Sequence, residues 1–127
     1  MKTGIVAVFT QPQAPMEFRE YPVPSVGAGD LLVKIGMANI CGSDLHFWRG
    51  HGPKIPEDVP QVLGHEMVGT IEQLGKNVRT DSMGERLEEG DRIAYSYFKP
   101  CNHCWMCLSG KPGCPERYRD WGLDFNA

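Results

Sequence analysis

Gly64-His65-Glu66-Met67-Val68-Gly69-Thr70-Ile71-Glu72-Gln73-Leu74-Gly75-Lys76-Asn77-Val78 is the stretch from which the fold is read. Together with Val62 and Leu63, its apolar residues run to Leu74 and are punctuated by Gly64 and Gly69. That pattern predicts strand, tight turn, strand. His65 and Glu66 stand beside the first glycine. Imidazole and carboxylate are both competent zinc ligands. A histidine met alone in such a place also reads as a hydrogen-bonded core residue, so the neighbours decide.

Outward from this segment the chain is rich in short strands. Thr3–Phe9 is a β-forming apolar run, and Glu17–Tyr21 a second, bounded by Pro15, Pro22 and Pro24. Residues 26–30, Val-Gly-Ala-Gly-Asp, read as a turn. Leu31, Val33, Ile35 and Met37 then alternate with Leu32, Lys34, Gly36 and Ala38, the period of a strand with one apolar face. Cys41–Trp48 is expected as a loop leading into a single helical turn, and Gly50–Pro60 as loop. Arg79–Glu89 is polar and charged, an exposed loop. Gly90-Asp91-Arg92 turns into a strand over Ile93–Phe98. Fifteen glycines and ten prolines make up roughly a fifth of the chain, against a background of about 12%. That excess argues against a helical bundle. The expectation is a mainly β domain with short helices, a partly open barrel.

Residues 100–115 show no hydrophobic period and cannot bury an apolar face. Cys101, Cys104, Cys107 and Cys114 fall there, as C-x2-C-x2-C followed by a fourth cysteine after six residues. Four thiolates complete a zinc tetrahedron with no open position, so such a site is structural. Cys114 is followed by Pro115, as in one iron–sulfur pattern, but the spacing differs and no second cysteine set exists. His103 lies inside the motif as a spacer or a competing ligand. A fifth cysteine, Cys41, follows the third strand in Cys41-Gly42-Ser43-Asp44-Leu45-His46. A thiolate there, with His65 and Glu66, offers three mixed ligands and leaves a position open, as catalytic zinc requires. Cys41 taken alone would read first as a small buried hydrophobe.

Length and charge bound the function. The chain has 127 residues, one domain's worth, and a net charge of −3. It has no Lys/Arg cluster of the kind nucleic-acid binding needs and no basic amphipathic stretch for a membrane surface. The longest apolar run, Ile5–Phe9, is five residues, too short for a signal peptide or a span. The expected location is cytoplasmic, where thiols stay reduced and a cysteine cluster holds metal rather than disulfides.

Taken together, G-H-E-x2-G-x5-G-x2-V from Gly64, C-x-S-D-x-H from Cys41, the Gly90-Asp91-Arg92 turn and the four-cysteine lobe resemble the zinc-containing alcohol dehydrogenases of the medium-chain dehydrogenase/reductase superfamily. They stand in that family's order and cover nearly the whole chain. The resemblance implies a GroES-like irregular β-barrel over 1–127 with a four-cysteine zinc lobe at about 100–115, binding up to two zincs. It implies that Cys41, His65 and Glu66 belong to the catalytic zinc, and Cys101, Cys104, Cys107 and Cys114 to the structural one. Asp44 resembles the acid that fixes the histidine's tautomer. Ser43 resembles the hydroxyl that takes the alcohol's proton, and His46 the residue that passes it to solvent. The implied substrate is a small alcohol or carbonyl compound, with hydride passing to NAD(P).

Two features differ from the family pattern. Six residues rather than seven separate Cys107 from Cys114, and Arg79–Glu89 is longer than in compact members. The family's further catalytic zinc ligand and its nucleotide-binding domain lie beyond this stretch of sequence, and no G-x-G-x-x-G occurs within it. NAD(P) binding is therefore expected only with that domain, and these residues alone are expected to be inactive. The implied partners are that domain or further copies of the chain. The alternative is a stand-alone, non-catalytic zinc-binding module used for structure or partner binding.

Overall fold

The computed structural model describes residues 2–52, 61–96 and 104–110. Within them the chain forms strands β1 (Thr3–Phe9), β2 (Glu17–Pro22) and β3 (Leu31–Asn39), helix α1 (Gly42–Trp48), strands β4 (Gln61–Val62), β5 (Glu66–Leu74) and β6 (Arg92–Tyr95), and helix α2 (Trp105–Leu108). Strands expected from the sequence form at each described place. Tyr97 and Phe98, expected to extend β6, lie outside the described residues, as do Pro53–Pro60 of the expected loop and most of the cysteine lobe.

The strands pair antiparallel in two three-stranded sheets, ordered β2-β1-β4 and β3-β5-β6. Closure into a barrel is not seen among the described residues. In the first sheet β1 is central, paired with β2 from Thr3↔Pro22 to Val8↔Glu17 and with β4 at Val8↔Val62. The alternation of β1 sets its faces. Val6 and Val8 point into the core at 9% and 0% exposure, whereas Ile5 and Phe18 lie on the other face at 76% and 77%. Fully burying an aliphatic side chain of this size is worth about 1.5–3 kcal/mol, so the buried valines decide the register.

The second sheet carries the chemistry. Its central strand β5 starts at Glu66, and its Ile71 is 1% exposed. Antiparallel pairing sets the end of β3 beside the start of β5, with Asn39 opposite Glu66. The apolar face expected of β3 is only partly buried, because Ile35 and Met37 are 46% and 69% exposed. Gly36 is an extra residue between the pairs Ile35↔Gly69 and Met37↔Val68, and this bulge breaks the period of two. At Gly69 a Cβ would stand 2.5 Å from the Lys34 carbonyl oxygen, so β3 and β5 pack where only glycine fits.

Two expectations are corrected in extent. α1 spans seven residues, about two turns rather than one. The 79–89 segment is exposed but not formless. Thr80 bridges to Arg86, and Asp81 Oδ1 accepts from the backbone N–H groups of Met83 and Glu85 at 2.8 and 2.9 Å. A carboxylate capping its own turn in this way orders a loop without a hydrophobic core. Among the described residues no helix is long and apolar enough to cross a membrane.

Candidate metal centre

Two segments meet at one end of the second sheet. Cys41 follows β3 and is the N-cap of α1, in extended conformation with φ −83° and ψ 157°. His65 lies in the turn between β4 and β5, and Glu66 opens β5. The turn depends on Gly64, whose φ of +92° is a region that L side chains rarely adopt. Pairing of β3 with β5 therefore brings residues more than twenty positions apart in sequence to one place.

One ligand atom each from Cys41, His65 and Glu66 lies within 4.8 Å of the other two. A zinc tetrahedron with bonds of about 2.0–2.3 Å has edges of roughly 3.3–3.8 Å. The three atoms are thus at most about 1–1.5 Å further apart than in a zinc-sized triangle, and sulfur, nitrogen and oxygen together suit zinc. Cys41 and His65 are partly buried, and Glu66 is exposed. Cys41 forms no disulfide.

Asp44 joins the two segments. It is the only charged residue buried among those described, at 7% exposure. Its Oδ2 accepts from the Cys41 N–H at 2.9 Å, tying down the first turn of α1. Its Oδ1 accepts from the Gly64 N–H at 3.3 Å and lies 3.3 Å from His65 Nδ1. With the ring proton on Nδ1, the Nε2 lone pair is the one available to a metal, the arrangement that zinc-bound imidazoles generally need. Nε2 is 3.5 Å from Ser43 Oγ. Ser43 thus lies at the ligand nitrogen rather than apart from it.

His46 lies three residues beyond Ser43, on the same side of α1, and is exposed. The helix ends in a left-handed cap. Gly50 has φ +85°, its N–H donates to the Phe47 carbonyl at 2.9 Å, and the His51 N–H donates to the His46 carbonyl at 2.9 Å. The cap folds His51 back over His46, with ring centroids 5.9 Å apart. Trp48 closes α1. Its Nε1 donates to the Ala14 carbonyl at 2.8 Å, and the Gln13 N–H donates to the Trp48 carbonyl at 2.7 Å, clasping α1 to the turn after β1.

Of the cysteine lobe, Cys104 and Cys107 fall in the described residues, whereas Cys101, His103 and Cys114 do not. Cys104 is the N-cap of α2, and its Sγ accepts from the Cys107 N–H at 3.4 Å. This contact closes the first turn of α2 onto the Cys104 side chain.

Sequence reasoning missed Asn39. Its Nδ2 donates to Glu66 Oε2 at 2.9 Å across the last rung of β3 and β5. The signal available was its place two residues before Cys41, in a strand where asparagine is uncommon.

A β-rich fold here mounts Cys41, His65 and Glu66 together at the end of a sheet, a group of the kind that can hold a metal ion. Residues 27–123 match the alcohol dehydrogenase GroES-like domain family, and the chain belongs to it. Over 94 residues it is 43% identical to the starvation-sensing protein RspB of Escherichia coli K12, covering 74% of this chain and 25% of that protein. The solved structure of an alcohol dehydrogenase from Thermotoga maritima superposes with a TM-score of 0.75 at 32% identity, covering 91% of this chain and 31% of the other. A short chain alcohol dehydrogenase, rspB, from E. coli CFT073, complexed with NADH, gives 0.67 at 34% identity, covering 87% and 29%. The chain thus spans about a quarter to a third of the length of these relatives.

Proposed function

We propose that this chain is the metal-holding catalytic domain of a zinc-dependent alcohol dehydrogenase. In this reading the whole enzyme oxidises a small alcohol to an aldehyde or ketone, and a nucleotide-binding domain supplies NAD(P) as hydride acceptor. The observation that carries the reading is the convergence of Cys41, His65 and Glu66 within 4.8 Å, with the histidine oriented by a buried aspartate. Family membership and the NADH-bound relative support the reaction class.

The donor set fits zinc, and Cys41, His65 and Glu66 would hold it. Zinc there supplies Lewis acidity, which makes an alcohol's proton easier to lose near neutral pH. The chain's own residues handle that proton. Ser43 Oγ, 3.5 Å from His65 Nε2, would accept the alcohol's proton while giving up its own hydroxyl proton, and the exposed His46 would take that proton on to solvent. Asp44 keeps His65 in one tautomer throughout. Cys101, Cys104, Cys107 and Cys114 would hold a second, structural zinc.

The test is reduction of NAD+ and NADP+ by the full-length zinc-loaded protein across primary, secondary and polyhydric alcohols. Turnover is expected with at least one, reduced at least about 100-fold in Cys41→Ser, since a catalytic metal supplies several kcal/mol to the reaction. A full-length protein that binds zinc but turns over none of these with either cofactor would overturn the assignment in favour of a zinc-binding module.

A further inference from the structure

Glu66 is the exposed member of the three-residue cluster. An exposed glutamate samples many rotamers, and fixing it costs side-chain entropy. Here it is held from across the sheet. Asn39 closes β3 opposite Glu66, and its Nδ2 donates to Glu66 Oε2 at 2.9 Å. A carboxylate has two oxygens, so this bond leaves the lone pairs of Oε1 for a cation. Resting on the metal-site reading above, we propose that Asn39 is a positioning residue that fixes the Glu66 carboxylate beside Cys41 and His65.

The chemistry of the amide favours this role over a simple cross-strand pair. Lysine or arginine opposite Glu66 would form a salt bridge, the usual partner of an exposed carboxylate. A cation there would also repel a divalent ion a few ångströms away. Asparagine gives a directional donor and no charge. It orients the carboxylate while leaving its full negative charge to the metal.

The experiment uses cobalt(II) in the full-length protein from which zinc has been removed. The site is followed by the part of the thiolate-to-cobalt absorption that disappears in Cys41→Ser, and by the rate at which a chelator strips the metal. Asn39→Ala and Asn39→Leu are expected to weaken cobalt binding about 10-fold, the lower end for loss of a ligand's hydrogen-bond partner. Both are expected to leave the melting temperature of the metal-free protein unchanged. In a Glu66→Gln background the Asn39 substitutions should add little, because the group they position has lost its charge. Unchanged cobalt affinity in both variants, or an equal loss with and without Glu66→Gln, overturns the proposal. Absence of any Cys41-dependent cobalt absorption in the wild type would overturn the metal-site reading itself, and this inference with it.

Discussion

Oδ1 of Asp44 lies 3.3 Å from His65 Nδ1 and also accepts from the Gly64 N–H, so one carboxylate oxygen engages both a candidate ligand and the turn that presents it. The other oxygen accepts from the N–H of Cys41, the second candidate ligand. Replacing Asp44 should therefore damage stability and metal binding together. Asp44→Ala leaves two backbone N–H groups without their acceptor, at about 1–3 kcal/mol for each that stays desolvated. Asp44→Asn preserves shape and should cost less stability, but still lower zinc affinity about 10–100-fold. Urea unfolding and competition with a chromophoric chelator check the pair. Wild-type zinc affinity in Asp44→Asn would show that the carboxylate does not tune the histidine.

The two cysteine groups should behave differently. Up to two zincs per chain are expected, with the four-cysteine site the tighter. Cys104→Ser removes the N-cap of α2 together with a ligand of the lobe and is expected to lower the melting temperature. Cys41→Ser is expected to abolish one zinc while leaving the fold intact. Metal content and thermal unfolding of both variants, measured side by side, distinguish these outcomes. Equal destabilisation by the two substitutions would contradict the assignment of one structural and one catalytic site.

Glycines of the signature should be graded by what surrounds them. Gly64→Ala places a side chain at φ +92° and should cost about 1–2 kcal/mol. Gly69→Ala forces a Cβ to 2.5 Å from backbone and should cost more. Gly29→Ala meets nothing within 4 Å and has ordinary backbone angles, so it is expected to be neutral or slightly stabilising. Chemical denaturation of the three variants tests the ranking, and a costly Gly29→Ala would break it.

Tyr95 gives a pH dependence with a definite sign. It is partly buried on β6, its hydroxyl donating to Met67 Sδ at 3.5 Å, and burial raises its pKa above the ordinary 10.0. The folded state then holds the phenolic proton more tightly than the unfolded state. Its contribution to stability is complete below the unfolded pKa and is lost as pH rises through the folded one. Tyr95→Phe should flatten the alkaline fall in stability above about pH 10 and leave the pH dependence near neutrality as it is. Superimposable alkaline profiles for the two proteins would disprove the link.

Much of the second sheet could be read from local pattern. The break at Gly64, the strand through Ile71 and the alternation from Leu31 to Met37 each have a clear local cause. The bulge at Gly36 did not, because it arises from how β3 fits a neighbour distant in sequence. Clustering of Cys41, His65 and Glu66 came from motif resemblance rather than from spacing. No local rule says which strands pair. The Asn39–Glu66 bond is likewise a product of register, and a shift of one residue along β5 would abolish it. The ordered turn at Asp81 is written locally, as a short acid ahead of backbone donors, but a run of charges conceals it.

The glycines and the ligands of the Gly64–Val78 signature answer to different demands. Gly64 is required by a backbone angle and Gly69 by the closeness of a neighbouring strand, and neither requirement involves a metal. A descendant that lost His65 and Glu66 would keep both glycines for as long as it kept the sheet. It would go on looking like a relative while having lost two of the three groups that converge at the end of this sheet. Across such sequences, spacing of the glycines reports ancestry and architecture. The two letters after the first glycine, read with the cysteine two residues beyond β3, report chemistry.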